Sequence, residues 1–342
     1  MARNRVTLST IAEESGVSPA TVSLALRDKP GVGAETRERV REVAKELGYI
    51  PKNGAQSSVD LANIGVIIKA EPDQMPQANQ FYSYVVAGIE AACRQQQFNL
   101  LYARMPVDQD SYPVELPRML LEQDATDGLL LVGAFLDDTI ARFIERQSTP
   151  IVLVDAYAAS DMYDAVVSDN FGGAHQAVTY LAQRGHRQIG FVGCHPHAYP
   201  SIRERKRGYS QALADQGIDQ EYVARCHIVD QEEIAEATAE LLQENPQITA
   251  LFGANDEVAV AAMGAAQALG LSVPDEFSVV GFDNVNSAQT ATPALTTMHV
   301  DKIGMGRLAV QVLINRVEYP ESNPVTTTIH PNLVERQSVR RQ

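Results

Sequence analysis

The feature that most constrains this chain is a pair of closely spaced helix boundaries near its N-terminus. Apolar residues from Leu8 to Ala12 recur at helical spacing, and Gly16, which tolerates a positive φ, predicts where that first helix ends. Ser18 is a typical N-cap, and Pro19 suits the first helical position because its missing N–H has no partner there. The sequence therefore predicts two short helices that meet at a tight turn.

A third helix is predicted where four apolar residues share one face and a glycine follows, and it would brace the first two. The second helix has an inward apolar stripe and small or hydroxyl-bearing side chains outside, which let a helix approach a groove closely. This order matches the helix-turn-helix pattern, whose second helix enters the major groove of DNA. The inward residues are Val22, Ala25 and Leu26 in the second helix and Val40, Val43, Ala44 and Leu47 in the third, with Gly48 as its stop.

Spacing alone also fits a small helical bundle of another purpose, and charge helps little to decide between the two, because the N-terminal region is only the least acidic part of the chain. Residues 1–60 carry nine basic and eight acidic side chains, whereas the whole chain has a net charge of −15. Phosphate repels an acidic body, so DNA contact would be left to this small N-terminal region. This charge distribution favours site-selective binding over indiscriminate binding.

The length of 342 residues predicts two or three domains, because one ordinary core does not support a chain of this size. No apolar run is long enough to span a membrane, and the polar stretch from Met1 to Thr10 lacks the apolar core of a signal peptide. Three scattered cysteines do not form a disulfide framework. We therefore expect a cytoplasmic protein with no membrane partner.

The remainder of the chain alternates short apolar runs with amphipathic stretches, as buried parallel strands and their crossover helices do. One series begins after Asn63, and a second series of the same kind begins at Val166, with a strand predicted at His227–Val229. We expect two doubly wound α/β lobes whose strands point their carboxyl ends at a shared cleft, where small ligands of such folds bind. The strands of the first series are predicted at Ile64–Ile68, Leu100–Ala103, Gly128–Val132 and Ile151–Val154.

The runs VTLSTIAEESGVSPATVSLAL and TRERVREVAKELGYIP resemble the headpiece of the lactose and galactose repressor (LacI/GalR) family of bacterial transcription regulators. The resemblance implies an all-α helix-turn-helix headpiece followed by an α/β body of two doubly wound lobes, similar to a periplasmic sugar-binding protein. It implies a sequence-specific repressor whose operator affinity is controlled by a small molecule. The expected boundaries are a headpiece at 1–51, a hinge at 52–62 and a body at 63–342, with an N-lobe at 63–165 and 301–326 and a C-lobe at 166–300 and 327–342.

The resemblance also assigns DNA contacts. Relatives frequently carry an arginine where this chain has Leu24, and leucine cannot make the bidentate contact of arginine with guanine. In the family the hinge inserts a leucine into the minor groove at the position of Ser58, and Gly54 costs about 1 kcal/mol in a helix interior, so both residues place that insertion in question. The predicted DNA-binding residues are Leu8, Ser9, Ser18, Pro19, Ala20, Thr21, Ser23, Leu24, Arg27, Thr36, Tyr49, Ala55 and Ser58.

Polar residues that follow predicted strands point at the expected cleft. Carboxylates and an arginine suit sugar hydroxyls because their hydrogen bonds are charge-assisted and have defined geometry. By resemblance, Arg205, Asn255 and Asp283 match effector-contacting positions of the family, whereas spacing alone would favour ordinary caps and turns. The predicted effector-binding residues are Phe81, Tyr82, Asp155, Arg205, Asn255, Asp256 and Asp283.

A sugar is the expected effector, and a purine or nucleoside is the alternative because the Phe282 to Val285 run resembles the purine-responsive branch of the family. A solute-binding receptor is a more distant alternative, since it needs a signal peptide and no head. The expected macromolecular partners are a near-palindromic double-stranded operator and a second copy of the chain. No leucine heptad tail follows the run VTTTIHPNLVERQSVRRQ, so a homodimer is expected without the coiled coil that makes some relatives tetrameric.

Catalysis is not expected, because the sequence contains no Gly-rich phosphate loop, nucleophile elbow or HExxH run. Five residues offer zinc-ligand chemistry, but their spacing matches no standard finger, and packing and turn roles are favoured. We therefore expect no cofactor and no metal. The five residues are Cys194, His195, His197, Cys226 and His227.

Overall fold

The computed structural model describes residues 8–26, 32–47, 61–70, 80–108, 112–118, 126–137, 141, 149–159 and 162–340. The chain divides after Ser58 into two compact units, which we call the head and the body. Within the described residues, no helix has both the length and the apolar character needed to cross a membrane.

The head contains the helices α1 (Leu8–Ser15), α2 (Pro19–Leu26) and α3 (Ala34–Glu46). Gly16 ends α1 with a φ of 67°, as the sequence predicted. At the start of α2 the Ser18 hydroxyl oxygen accepts the N–H of Thr21 at 3.1 Å, so Ser18 caps this helix. The three helices bury one small apolar core formed by Ile11, Ala12, Val22, Ala25, Val40 and Ala44.

The first lobe of the body is a parallel six-stranded sheet with the strand order β13-β7-β5-β3-β1-β2. Its helices α4 (Gln80–Gln96) and α10 (Lys302–Glu318) approach closely because Gly88 and Gly306 lack a Cβ, which would lie 2.2 and 2.0 Å from the facing backbone oxygens. The strands are β1 (Asn63–Ala70), β2 (Asn99–Pro106), β3 (Gly128–Val132), β5 (Ile151–Val154), β7 (Asp164–Ser168) and β13 (Thr326–Ile329), and β4 (Phe135–Leu136) pairs separately with β6 (Tyr157–Ala158).

The second lobe repeats this architecture with the strand order β14-β12-β11-β10-β8-β9, in which only β14 runs antiparallel to its neighbour. In the first sheet β1 lies between β2 and β3, and in the second sheet β8 lies between β9 and β10. The chain therefore adds strands in opposite directions from β1 and from β8, which creates a topological switch point at the carboxyl edge of each sheet. The strands are β8 (Ile189–Val192), β9 (Tyr222–Ala224), β10 (Ala250–Gly253), β11 (Ser278–Asp283), β12 (Thr296–His299) and β14 (Asn332–Val334), and the helices are α5 (Asn170–Gln183), α6 (Pro200–Asp215), α7 (Gln231–Glu244), α8 (Asp256–Ala268) and α9 (Asn286–Thr290).

Between the described strands and helices, the chain crosses from one lobe to the other three times, after β7, after β12 and after β13. Two crossings lead directly into helices that begin alike. Asp169 accepts the N–H of Gly172 at 2.7 Å, and Asp301 accepts the N–H of Gly304 at 2.8 Å. These aspartate caps fix where the lobes separate and the helices start.

Two expected lobe boundaries and one predicted strand need correction. The lobe boundaries at 165/166 and 326/327 cut through β7 and β13, which both hydrogen bond within the first sheet. The strand predicted at His227–Val229 is wrong, because the strand of that region is Tyr222–Ala224 and the predicted residues form a loop. An apolar pattern does not tell which sheet a strand joins, and over three residues it does not distinguish a strand from a loop.

The predicted hinge lies largely outside the described residues, and its last two residues belong to the body. Leu61 is buried in the apolar core of the body, and Asp127 accepts the N–H groups of Ala62 and Asn63, each at 2.7 Å. The packed body therefore begins at Leu61 or earlier, ahead of the predicted residue 63.

Candidate functional site

A cleft with an empty volume of about 1000 Å³, part of it open solvent, lies where the carboxyl ends of the two sheets face each other. The first lobe contributes the ends of β1 and β5 and the start of α4, and the second lobe contributes the remainder. All seven predicted effector-binding residues line it. Its lining is Lys69, Phe81, Tyr82, Asp155, Gly193, His195, His197, Ala198, Tyr199, Ser201, Ile202, Arg205, Cys226, His227, Ile228, Val229, Asn255, Asp256, Glu257, Asp283 and Val285.

Arg205, on α6, is the centre of a buried hydrogen-bond network. Its Nε donates to Oδ1 of Asn170 at 2.9 Å, Nη1 donates to the Ala254 carbonyl at 2.7 Å, and Nη2 donates to Oδ1 of Asp283 at 3.0 Å. The guanidinium carbon lies 3.8 Å from the centre of the Phe282 ring. Each guanidinium nitrogen thus has a protein acceptor, which fixes Arg205 and the Asp283 carboxylate in one geometry.

Asp155, directly after β5, has a different environment. The Tyr82 hydroxyl donates to its Oδ2 at 3.1 Å, while no described residue donates to its buried Oδ1. Burial, with a smaller contribution from Asp283 and against the effect of Arg205, raises the pKa of Asp155 to about 6. A buried carboxylate oxygen without a donor is costly, and a ligand that donates a hydrogen bond would remove that cost.

Two other acids of the cleft, Asp256 and Asp283, have hydrogen-bond donors within the protein. Asp256 accepts the N–H of Val285 at 2.7 Å and the hydroxyl of Thr297, and burial together with the charge of Asp283 raises its pKa to about 8. Burial also raises the pKa of Asp283, against the opposing charges of Arg205 and Lys302. Asn255 uses its side-chain oxygen to accept the Val258 N–H at 2.8 Å, so it caps α8. The cap interpretation that spacing favoured therefore applies to Asn255.

Two cleft residues that join the lobes, Lys69 and Tyr199, are not among the residues predicted from the sequence. Tyr199 precedes α6, yet its hydroxyl contacts the carbonyl oxygens of Ala134 and Asp155 in the first lobe at 2.9 and 3.1 Å. The Lys69 ammonium lies 5.1 Å from the Tyr199 ring centre and 5.3 Å from that of Tyr82. Lys69 follows an apolar run at the end of β1, so the strand-end rule that found Asp155 also identifies it. No local signal identifies Tyr199.

His195 and His227 of the second lobe stack on each other and do not point their ring nitrogens at a common metal position. The ring centres of His195 and His227 lie 3.8 Å apart with an interplanar angle of 28°, and Nδ1 of His227 is 2.9 Å from Oε2 of Glu233. Stacked rings do not aim their nitrogens at one point. Over the described parts of the chain, no group of three histidine, cysteine or acidic side chains is arranged to hold a metal ion.

The head exposes part of the predicted DNA-binding surface. Ser18, Pro19 and Leu24 are exposed, and Thr21 and Thr36 are half-buried. The Ser18 and Thr21 hydroxyls lie 2.9 Å apart at the N-terminus of α2, an end that suits a phosphate. Arg27, Tyr49, Ala55 and Ser58, and the side chains of Leu8, Ser9, Ala20 and Ser23, lie outside the described residues.

Two family models match the chain. Residues 7–52 match bacterial regulatory proteins of the lacI family, and residues 178–339 match a periplasmic binding protein-like domain. The HTH-type transcriptional repressor PurR of Pectobacterium carotovorum is 31% identical over 97% of this chain and 96% of its own length. PurR of Proteus mirabilis is 30% identical with the same coverage of both chains.

Several solved structures of transcriptional regulators are similar to this chain. A complex of the transcriptional regulator CelR with cellobiose is 26% identical, covers 98% of this chain and all of its own chain, and has a TM-score of 0.68. The lac repressor dimer bound to operator and the anti-inducer ONPF is 25% identical with the same coverage and a TM-score of 0.66. A LacI-family regulator of Enterococcus faecium with bound ribose is 25% identical over 82% of this chain and 99% of its own chain, with a TM-score of 0.68.

A helix-turn-helix head followed by a two-lobed body with a ligand cleft defines the class of ligand-responsive DNA-binding regulators. The relatives that match over nearly the full length are repressors of this class. The chain belongs to the lacI family of bacterial regulatory proteins. It is a DNA-binding transcriptional repressor with an effector-binding domain, and the members of its family are transcriptional regulators and not enzymes.

Proposed function

We propose that a sugar controls this repressor by binding in the cleft between the lobes of the body. The observation that carries the proposal is the buried Oδ1 of Asp155, which lacks a donor among the described residues. A sugar hydroxyl donates a hydrogen bond there and in turn accepts one from a neighbouring donor, which suits a carboxylate beside Tyr82 and Lys69. Related structures with cellobiose or ribose bound support the same class of ligand.

The charge of the cleft favours a neutral effector over a phosphorylated one. Its acidic lining residues are Asp155, Asp256, Glu257 and Asp283, of which Asp256 keeps its proton at neutral pH because its pKa is raised to about 8. Of the basic lining residues, Arg205 is already paired with Asp283, and Lys69 lies near Asp155. A phosphate group would bring two more negative charges close to Asp155, with a repulsion that a low-dielectric cleft strengthens.

A purine is the second candidate. It is favoured by the PurR relatives, which match this chain over nearly its full length, and by the run from Phe282 to Val285 that resembles the purine-responsive branch. A purine would use its ring N–H groups as donors to the same acidic cleft.

Thermal unfolding against D-ribose, cellobiose, glucose 6-phosphate, hypoxanthine and guanine separates these candidates. A ligand at a hundred times its dissociation constant stabilises the folded state by about 2.7 kcal/mol, which shifts the unfolding temperature measurably. We expect a shift with a neutral sugar that Asp155→Asn reduces. A shift with a purine alone would replace the sugar by the second candidate, and a shift with the phosphorylated sugar would contradict the charge argument.

On the DNA side, we propose that two heads of a homodimer bind the half-sites of a near-palindromic operator in the cytoplasm. Pro19 and Leu24 would face bases, and Ser18 and Thr21 would contact phosphates. The lac repressor, which is similar in fold, has been solved as a dimer on its operator. Selection of binding sequences from random DNA tests this geometry. Leu24→Arg is expected to add a guanine preference at one base pair of each half-site, and an unchanged preference would contradict the placement of Leu24.

A further inference from the structure

Lys302 is the first residue of α10, a helix of the first lobe, yet its ammonium group contacts backbone of the second lobe. The residue is only 4% exposed. Nζ donates to the carbonyl oxygen of Asp283 and, at 3.2 Å, to those of Asn284 and Val300. Three carbonyl acceptors match the three N–H groups of an ammonium, so this buried cation is satisfied by carbonyl dipoles.

Two of the three carbonyls that Lys302 binds, those of Asp283 and Asn284, belong to a strained turn. Asp283 has a φ of 103° and Asn284 a φ of 55°, a region that residues with a Cβ adopt rarely. Arg336 holds the same turn from the other side, because its Nη2 donates to Oδ1 of Asn284 at 2.6 Å. Backbone of this kind persists only where its surroundings fix it. The turn in question orients the Asp283 carboxylate toward Arg205 inside the cleft.

The ammonium of Lys302 also faces the aromatic residues of α4 in the first lobe. It lies 5.8 Å from the Phe81 ring centre and 5.7 Å from that of Tyr84, within the range of cation–π attraction. Tyr84 continues the connection, because its hydroxyl donates to Oδ1 of Asn286 at 2.9 Å. Asn286 in turn donates its N–H to the side chain of Gln80 at 3.0 Å. The turn after β11 is thus attached to α4 by a short chain of contacts.

We propose that Lys302 is a positioning residue of the effector cleft. Its ammonium group holds the turn at 283–286 in the geometry that orients Asp283, and it fixes that turn against α4 of the opposite lobe. A ligand in the cleft lies between this turn and α4, so the connection joins the two walls that such a ligand contacts. Lys302 therefore links occupancy of the cleft to the relative position of the lobes.

Amide hydrogen exchange of the full-length protein without any ligand tests the role of Lys302. Lys302→Met keeps the aliphatic stem and removes the ammonium, so exchange in segment 283–290 is expected to become about tenfold faster. Lys206→Met is the matched control, because its Nζ donates to Ser210 and Glu221 and lies 5.3 Å from the Tyr209 ring, all within the second lobe. The control is expected to leave segment 283–290 unchanged.

A role in general stability alone would accelerate exchange evenly, including in α6 and α8, and that result would overturn the proposal. Exchange in segment 283–290 that equals the wild type would overturn it as well. Should Lys302→Met fail to fold, Lys302→Gln, whose amide can still donate to a carbonyl, is expected to show a smaller acceleration confined to the same segment. Exchange in Lys302→Gln that is even along the chain, or unchanged at 283–290, would contradict the role.

Ligand affinity provides a second readout, and it rests on the proposed function. With D-ribose or cellobiose as the probe, Lys302→Met is expected to weaken binding at least tenfold, while Lys206→Met binds as the wild type does. Failure of both sugars to bind the wild type would contradict the proposed sugar effector, whereas the exchange experiment would still decide the role of Lys302. Equal affinity of wild type and Lys302→Met for a sugar that does bind would overturn the positioning role.

Discussion

The carboxyl edges of the two sheets carry the same type of residue in two different settings. Asp155 follows β5 in the first lobe and Asp283 ends β11 in the second, and both are buried with left-handed φ values of 45° and 103°. Asp283 is paired with Arg205, whereas Oδ1 of Asp155 has no donor among the described residues. The hydrogen-bond partners of a polar residue at a strand end therefore determine whether it stabilises the fold or is available to a ligand.

The two carboxyls also differ in how their charge is compensated. Burial raises the pKa of both, and the charge of Arg205 opposes this rise at both, but only Asp283 forms a hydrogen-bonded ion pair with Arg205. Removing Asp283 therefore leaves a buried arginine without its counter-charge. Removing the charge of Asp155 instead relieves a buried carboxylate that is only partly satisfied.

Asp283→Ala is expected to have the largest effect, a loss of about 3–5 kcal/mol in the free energy of unfolding, because Arg205 would remain buried and charged. Denaturant unfolding monitored by circular dichroism measures this loss. Glu204→Gln, which breaks the exposed pair with Arg207 on the same helix, serves as the control and should change little. Equal midpoints for Asp283→Ala and the wild type would mean that Arg205 finds another partner.

Asp155→Asn, unlike Asp283→Ala, is not expected to destabilise the fold. The free energy of unfolding at pH 7.5 should stay equal or rise, because the pKa of about 6 shows that the buried charge is unfavourable in the folded state. Affinity for the effector should fall about 10- to 100-fold, as expected for one charge-assisted hydrogen bond. Calorimetric titration with the ligand identified by thermal unfolding measures both affinities. Retained affinity would remove Asp155 from the ligand contacts.

Asp256, a third buried carboxyl at the same edge, extends the comparison of Asp155 and Asp283 to the pH dependence of stability. Its folded pKa of about 8 exceeds the ordinary value of 3.8, so the folded state keeps a proton that the unfolded state has lost. This contribution to stability is complete below about pH 4 and is lost as the pH rises through 8. Asp256→Asn cannot ionise, so its stability should decline less between pH 5 and 8, by about 1 kcal/mol per pH unit. Parallel pH profiles of the variant and the wild type would contradict the raised pKa.

Tyr84→Phe is expected to have the smallest effect. It removes one hydrogen bond between the lobes, from the Tyr84 hydroxyl to Asn286, and keeps the ring that faces Lys302. The free energy of unfolding should fall by about 0.5–1 kcal/mol, the net value of a typical hydrogen bond. Tyr319→Phe, on an exposed side chain of the first lobe, is a suitable control and should not change stability.

The sequence predicted the elements that depend on local chemistry. Gly16 ended α1 as expected, Ser18 capped α2, and β3 lies at the predicted Gly128–Val132. All seven residues predicted for the effector cleft line it. Asp155, Asn255, Asp256 and Asp283 do so because strand ends of parallel sheets meet at one edge. The positions of Phe81, Tyr82 and Arg205, which lie on helices, were implied by the family resemblance. The contacts that each side chain makes were not predictable. Asn255 caps α8, and Arg205 donates to three acceptors within the protein.

The sequence determined by itself that this chain has a small helical head and an α/β body, because helix caps, proline and apolar periodicity act over a few neighbouring residues. Only the tertiary structure decided which sheet receives β7 and β13, and that Lys69 and Tyr199 meet Asp155. It also decided that Lys302 binds a turn of the opposite lobe. These contacts join residues far apart in the chain, and long-range packing, burial and backbone strain select them in ways that no local pattern records.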